Sequence, residues 1–342
     1  KGGVMNFGKI GQYILFGGGQ LLCLTAKQLK KESYSVFVVT SERHSIEPIT
    51  LSETSMPFIE FLQKEHVDYI ISKDILRDSE VLNKITKDTI GISFGAAWIF
   101  KQQFIDLFKG RLLNCHGARL PQDRGAGGYS WRILRDERVG VSLIHQIDSG
   151  VDTGDIVLFK EFTYPYACRY PIDYRRYSMS QYQELLGKLF GLIKDGKSFE
   201  RITQQEYFSS YWPRLATDIH GYIDWNWALK DIERFICAFD DPYNGASTFL
   251  NGRKVRLKKC YSSFNDGIFH PFQKGFIYRI SEDVISIATD QGSLLVNDVF
   301  DENGVNTKQN LCIGDRFYTP MKYLEEAKQF RAVYTPTGLK TK

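Results

Sequence analysis

Three residues in the middle of the chain belong to the types that acyl chemistry uses: Asn114, His116 and Asp152. An amide N–H can stabilise an oxyanion, an imidazole can take a proton, and a carboxylate can orient the ring or relay the proton. Asn114 and His116 stand two apart at the end of the run Arg111-Leu-Leu-Asn114. In an extended strand that spacing puts both on one face and Cys115 on the other. Asp152 sits in a tight loop, DSGVDTGD (148–155), beyond one short helix and one strand. Each residue alone has a plain structural reading: Asn ends strands, a lone His packs in a core, and Asp serves a Gly-rich turn. The ordered stretch carries more: N-x-H, then Leu120-Pro121 and Arg124-Gly125, then D-x-G-x-D-T-G-D. A calcium loop does not fit Asp148, Asp152 and Asp155, because the spacing departs from D-x-[DN]-x-[DN]-G and the closing Glu is missing.

This ordered pattern resembles the N10-formyltetrahydrofolate-dependent formyltransferases. The resemblance implies that Asn114, His116 and Asp152 form the active site, that the co-substrate is N10-formyltetrahydrofolate, and that no metal takes part. It places the folate beside the turn Phe94-Gly95-Ala96-Ala97-Trp98, with Asp148 as a further contact. It returns in Gly221-Tyr-Ile-Asp-Trp225, Asp241-Pro-Tyr-Asn-Gly-Ala246 and Gly314-Asp-Arg-Phe317, which look like the family's OB-like C-terminal domain. The loop looks like that of the sugar-nucleotide N-formyltransferases: Gly127-Gly128 replaces the proline region of the tRNA enzymes, and Tyr129 and Trp131 follow. The segment Ser41 to Phe58 is short and of mixed charge, where the tRNA enzymes carry a basic insertion. The acceptor so implied is an amino sugar on a nucleotide, with dTDP-4-amino-4,6-dideoxyglucose as the expected sugar and O-antigen or related surface glycan as its destination. Charged initiator tRNA, and water in a formyl-folate hydrolase, are the alternatives. Arg43, His44, Arg124, Tyr129 and Trp131 are the expected acceptor contacts.

The elements that must position these residues can be read from pattern. The apolar run Gln12–Phe16, the turn Gly17-Gly-Gly19, a helical stretch to Lys31 and the run Ser35–Val39 form a strand–turn–helix–strand unit, the opening of a parallel α/β sheet. The turn lacks the G-x-G-x-x-G spacing of a dinucleotide fold. Strands at Tyr69–Ile71 and Ile90–Phe94 follow, and in open α/β sheets ligands gather at strand carboxyl ends. A helix is expected from Ser130 to about Glu137, a strand over Gly140–Ile147 and a helix over Tyr182–Ile193. After about residue 213, short apolar runs alternate with Asn251-Gly252, Asp266-Gly267 and Gln291-Gly292, the signature of a small barrel. The expected fold is α/β: a Rossmann-like parallel-sheet domain (1–205), a linker (206–214) and a smaller OB-like β-barrel domain (215–342).

The 342 residues suffice for two domains. Lys+Arg of 44 against Asp+Glu of 40 leaves +4, which does not suggest a polyanion held along the whole surface. From Pro213 onward there are 17 Lys+Arg and 16 Asp+Glu. The strip Lys254, Arg256, Lys258 reads as a phosphate contact or, at least as well, as a solvated barrel face. The six cysteines have no paired spacing, so free thiols in a reducing cytoplasm are expected. No apolar run is long enough to span a membrane. A cytoplasmic homodimer without nucleic-acid or membrane partners is the expected setting.

Overall fold

A computed structural model describes residues 3–51, 54–125 and 128–340. Ser52-Glu53 of the short segment after the second strand, and Gly127 of the Gly-rich loop that follows His116, lie outside the described residues.

The larger sheet has seven strands: β1 (Gln12–Gly17), β2 (Ser35–Thr40), β3 (Asp68–Ile71), β4 (Thr89–Phe94), β5 (Leu112–His116), β6 (Val139–Gln146) and β7 (Ile156–Thr163). Their spatial order is β7-β6-β5-β4-β1-β2-β3. The first five pair in parallel, and β6 and β7 add an antiparallel edge. Helices cover both faces, which is why β1, β2 and β4 read as nearly continuous apolar runs. On one face α1 (Gln20–Lys31) and a long helix after β7 pack Leu22, Leu186 and Leu189 against Leu15, Val38 and Ile92. On the other, Phe100, Phe104 and Phe108 meet Phe16 edge-on. Strand order reverses between β1 and β4, so their carboxyl ends, Gly17 and Phe94, open the crevice where ligands collect.

β5 continues through His116, two residues beyond the expected end. The helix expected over Tyr182–Ile193 begins earlier, as α3 (Pro171–Lys194), after α2 (Gly128–Leu134). Pro171 starts α3 with a preset φ, and the Asp173 carboxylate accepts from the amides of Arg169 and Tyr170. Within the expected linker, Tyr211–Trp212 pairs in parallel with Arg124–Gly125 of the loop after β5.

Beyond it come α4 (Leu229–Ala238) and six antiparallel strands: β8 (Ala246–Leu250), β9 (Arg253–Ser263), β10 (Ile277–Ile280), β11 (Ile285–Thr289), β12 (Gly292–Phe300) and β13 (Phe317–Tyr318). Their order is β10-β11-β12-β9-β8-β13. The two edges meet: Phe276 bridges Arg316, and Phe317 N–H donates to the Gly275 carbonyl at 2.9 Å. The sheet thereby closes into the small barrel, removing its free edges. Its core of Leu257, Ile285, Ile287 and Val296, capped by Ile232 and Ile236 of α4, runs on into Ile133, Tyr164 and Tyr174 beside the larger sheet. The Ser130 hydroxyl donates to the Ala238 carbonyl at 2.8 Å across this contact. Among the described residues no helix is long and apolar enough to cross a membrane, and the six cysteines are free.

Candidate active site

Strand register and loop geometry bring Asn114, His116 and Asp152 together, and add a fourth residue, His145. Asp152 Oδ1 lies 3.6 Å from His116 Nδ1 and 3.6 Å from His145 Nε2. His145 faces Asn114 directly across the β5–β6 pair, and Asn114 Nδ2 is 3.1 Å from His145 Nε2. Carbonyl partners fix both ring tautomers, because a carbonyl can only accept. His145 Nδ1 carries a proton for the Gln146 carbonyl at 2.7 Å, so its Nε2 accepts from Asn114. His116 Nε2 carries a proton for the Asp123 carbonyl at 3.1 Å. The neutral His116 ring therefore turns the lone pair of Nδ1 toward Asp152. Burial pushes the Asp152 carboxyl upward in pKa, but His116, His145 and the Gly125 amide outweigh it and hold it well below the usual carboxylate range.

The loop that carries Asp152 is held from three sides. Gly125 N–H donates to Asp152 Oδ2 at 3.0 Å. Gln204, in the segment returning from the larger sheet, donates to the carbonyls of Asp152 at 2.9 Å and Gly154 at 2.7 Å. Asp148 accepts from Gly150 N–H and the Thr153 hydroxyl within the same loop. Asp152 itself stands at φ 54°, a conformation that a non-Gly residue keeps only when its surroundings impose it. The loop folds so closely onto β6 that a Cβ on Gly154 would lie 1.9 Å from the Gln146 carbonyl oxygen. Asp123, whose carbonyl fixes His116, is itself gripped by Arg119 at 3.2 Å and Arg135 at 2.9 Å.

The other expected contacts are distributed as follows. His116 opens onto a cleft of about 1570 Å³, which Phe94, Gly95, Arg43, His44, Arg124, Tyr129 and Trp131 also line. Ala96 and Trp98 pack instead against the Phe100–Phe104 core. Arg124 is buried and engaged by Gln204 at 3.0 Å and Glu206 at 2.7 Å. The Trp131 indole donates to the Pro213 carbonyl at 2.8 Å. The same lining includes Lys27, Arg132, Arg135, Arg175, Arg176 and Arg214, giving eight basic side chains and two acidic ones, Glu47 and Asp123. His116, His145 and Asp152 also offer metal-ligand atoms within 4.8 Å of one another. The His145 Nε2 lone pair that a metal would need is already taken by Asn114.

His44 is buried at this cleft, and burial, with Arg43 and Arg214 adding to it, pushes its pKa down from 6.5 to about 3. The unfolded chain then binds a proton that the folded chain refuses, so stability rises with pH between those values. Stability is expected to be full above about pH 6.5 and to fall by about 2 kcal/mol by pH 5 on account of this ring. Denaturant melts of the wild type and His44→Gln at pH 7 and pH 5 check it: the substitution should flatten the acid-side slope. Equal slopes refute the assignment.

Comparison with known proteins agrees with this architecture. The formyl transferase family model matches residues 12–163, and the formyl transferase C-terminal domain matches residues 217–311. Methionyl-tRNA formyltransferase of Acetivibrio thermocellus is 24% identical over 307 residues, 89% of this chain and 96% of that protein. An N-formyltransferase from Helicobacter canadensis, solved with folinic acid and dTDP-3-aminofucose, superposes with a TM-score of 0.62 at 19% identity, covering 85% of this chain and all of that one. WlaRD, a sugar 3N-formyltransferase solved with dTDP and 5-N-formyl-THF, gives a TM-score of 0.60 at 18% identity over 86% of this chain and 99% of its own. With both matched segments in sequence and the strand–loop geometry around Asn114, His116 and Asp152 in place, the chain belongs to the formyl transferase family.

Proposed function

We propose that the protein transfers a formyl group from N10-formyltetrahydrofolate to the amine of a nucleotide-linked amino sugar. The observation that carries this reading is the basic lining of the cleft onto which His116 opens, in which Arg175, Arg176 and Arg214 have no carboxylate partner among the described residues. A diphosphate-bearing small acceptor needs such a local field, while the chain as a whole is only +4. Two solved neighbours that hold a formyl-folate, the Helicobacter canadensis enzyme and WlaRD, also hold a dTDP-sugar or dTDP. The sugar expected from the loop sequence is dTDP-4-amino-4,6-dideoxyglucose.

In this reading the amine attacks the formyl carbon and an oxyanion forms. One N–H of the Asn114 amide is held by His145 and the other remains for that oxygen. His116 Nδ1 takes the proton from the attacking nitrogen, and Asp152 stabilises the imidazolium so formed. As the C–N bond to folate breaks, the imidazolium returns the proton to the departing nitrogen, and the formyl group stays on the acceptor.

Methionyl-tRNA is the second reading, favoured by the curated relatives, which are methionyl-tRNA formyltransferases. Against it, the basic strip of β9 is spent internally: Arg256 pairs with Asp218 at 2.9 Å, Lys258 donates to the Tyr243 carbonyl at 2.9 Å, and Lys254 lies over the Tyr222 ring at 5.2 Å. The test incubates the protein with formyl-folate and either a panel of amino-sugar nucleotides or charged initiator tRNA. Formylation of a sugar nucleotide is the expected result. Transfer to tRNA alone, with binding that falls steeply with salt, would overturn it.

A further inference from the structure

Two arginines that line the cleft take no part in the proton transfer and oxyanion stabilisation described above. Arg43 follows β2, and Arg214 follows the paired segment Tyr211–Trp212. Both line the cleft. Arg43 has a single carboxylate partner, Glu47 at 3.1 Å, and its Nε is buried without a hydrogen-bond partner. Arg214 has no carboxylate or hydrogen-bond partner among the described residues, and its side chain is exposed. Burial and the nearby Arg214 charge push the Arg43 guanidinium below its ordinary pKa. Two like charges in one cleft repel each other, a cost relieved when an anion enters between them.

A short hairpin near the end of the chain holds the pair in place. Tyr334–Thr335 pairs with Gly338–Leu339. The Arg43 amide donates to the Pro336 carbonyl at 3.3 Å. The Tyr334 ring takes the Arg214 guanidinium at 4.2 Å from its centroid and the Arg43 guanidinium at 6.0 Å. His44, next to Arg43, is buried with its Nδ1 unpartnered. Three segments far apart in sequence thus converge on one polar spot. The hairpin lies beyond the segment that the family's C-terminal domain matches.

We propose that Arg43, Arg214 and the Tyr334 hairpin form an anion subsite of the acceptor cleft that binds the diphosphate of a nucleoside diphosphate-linked substrate. Arg43 and Arg214 contact the phosphoryl oxygens, since a guanidinium fork matches phosphate geometry. Tyr334 is a positioning residue that acts through them, its ring face fixing both cations. The inference rests on the acceptor reading proposed above and gives it a location.

The experiment measures binding of thymidine diphosphate and uridine diphosphate by calorimetry. It compares the intact protein with Arg214→Met, Tyr334→Ala, Tyr334→Phe and, as a remote control, Arg279→Met in the barrel. Arg214 is exposed, so its replacement does not endanger the fold. Losing charge-assisted hydrogen bonds should weaken diphosphate binding about 10- to 100-fold in Arg214→Met. Tyr334→Ala should follow it, while Tyr334→Phe, which keeps the ring, and Arg279→Met should bind as the intact protein does. With an active sugar nucleotide, Arg214→Met should raise the acceptor KM with kcat nearly unchanged, and formyl-folate binding should not move. Undiminished binding in Arg214→Met and Tyr334→Ala overturns the subsite and leaves the acceptor reading to the product assay. Failure of the intact protein to bind either diphosphate also overturns it. If diphosphates bind and weaken as described while no sugar nucleotide is formylated, the subsite stands and the amino-sugar reading falls.

Discussion

Asp152→Asn is expected to lower turnover by about 10³- to 10⁴-fold while leaving formyl-folate affinity nearly unchanged. The carboxylate lies 3.6 Å from His116 Nδ1, too far for a good hydrogen bond in the resting state but close enough to attract a charge on that ring. Its value is therefore realised when His116 becomes an imidazolium, late in the step, which is where an interaction raises kcat rather than binding. The amide of Asn has nearly the same shape and can still accept from Gly125 N–H. Its other end, however, becomes an N–H donor facing the His116 lone pair. The base is then occupied and its protonated form is left without a counter-charge. The measurement is single-turnover and steady-state kcat at saturating substrates, on protein shown to be folded. A rate within about tenfold of the parent would mean that His116 does not collect the proton beside Asp152. His116→Ala, tested alongside, should fall by a similar factor.

The parts of this site that were legible in the sequence are those held by local spacing. Asn114 and His116 share a strand face because they are two apart, and the D-x-G-x-D-T-G-D run marks a tight loop by composition alone. His145 was not legible. Nothing in its own neighbourhood marks it, and its place depends on the β5–β6 register that sets it opposite Asn114. The usable clue was that it lies near the end of the strand leading into the Asp152 loop. Gln204 escaped for a different reason. A polar residue in an expected linker gives no sign that its amide will grip two carbonyls of a loop fifty residues earlier. The +4 balance likewise hid the cleft's field, because its basic side chains come from separate segments and meet only in the fold. The barrel was readable from its Asn-Gly and Asp-Gly turns, but its closure was not. The Phe276–Arg316 bridge joins residues forty positions apart with no shared periodicity.

Asn114→Ala is expected to cost about 10²- to 10³-fold in kcat, one step less than Asp152→Asn. The amide has two N–H groups, and His145 Nε2 holds one at 3.1 Å, which fixes the direction of the other. That second N–H needs no reorganisation when charge develops on the formyl oxygen, and such preorganisation is what makes an oxyanion donor effective. Alanine removes it and also strips His145 Nε2 of its donor. The loss stays smaller than for Asp152→Asn because the imidazolium at His116 still offers positive charge near the oxyanion. A kcat within about tenfold of the parent would place the oxyanion on other donors and remove Asn114 from the chemistry.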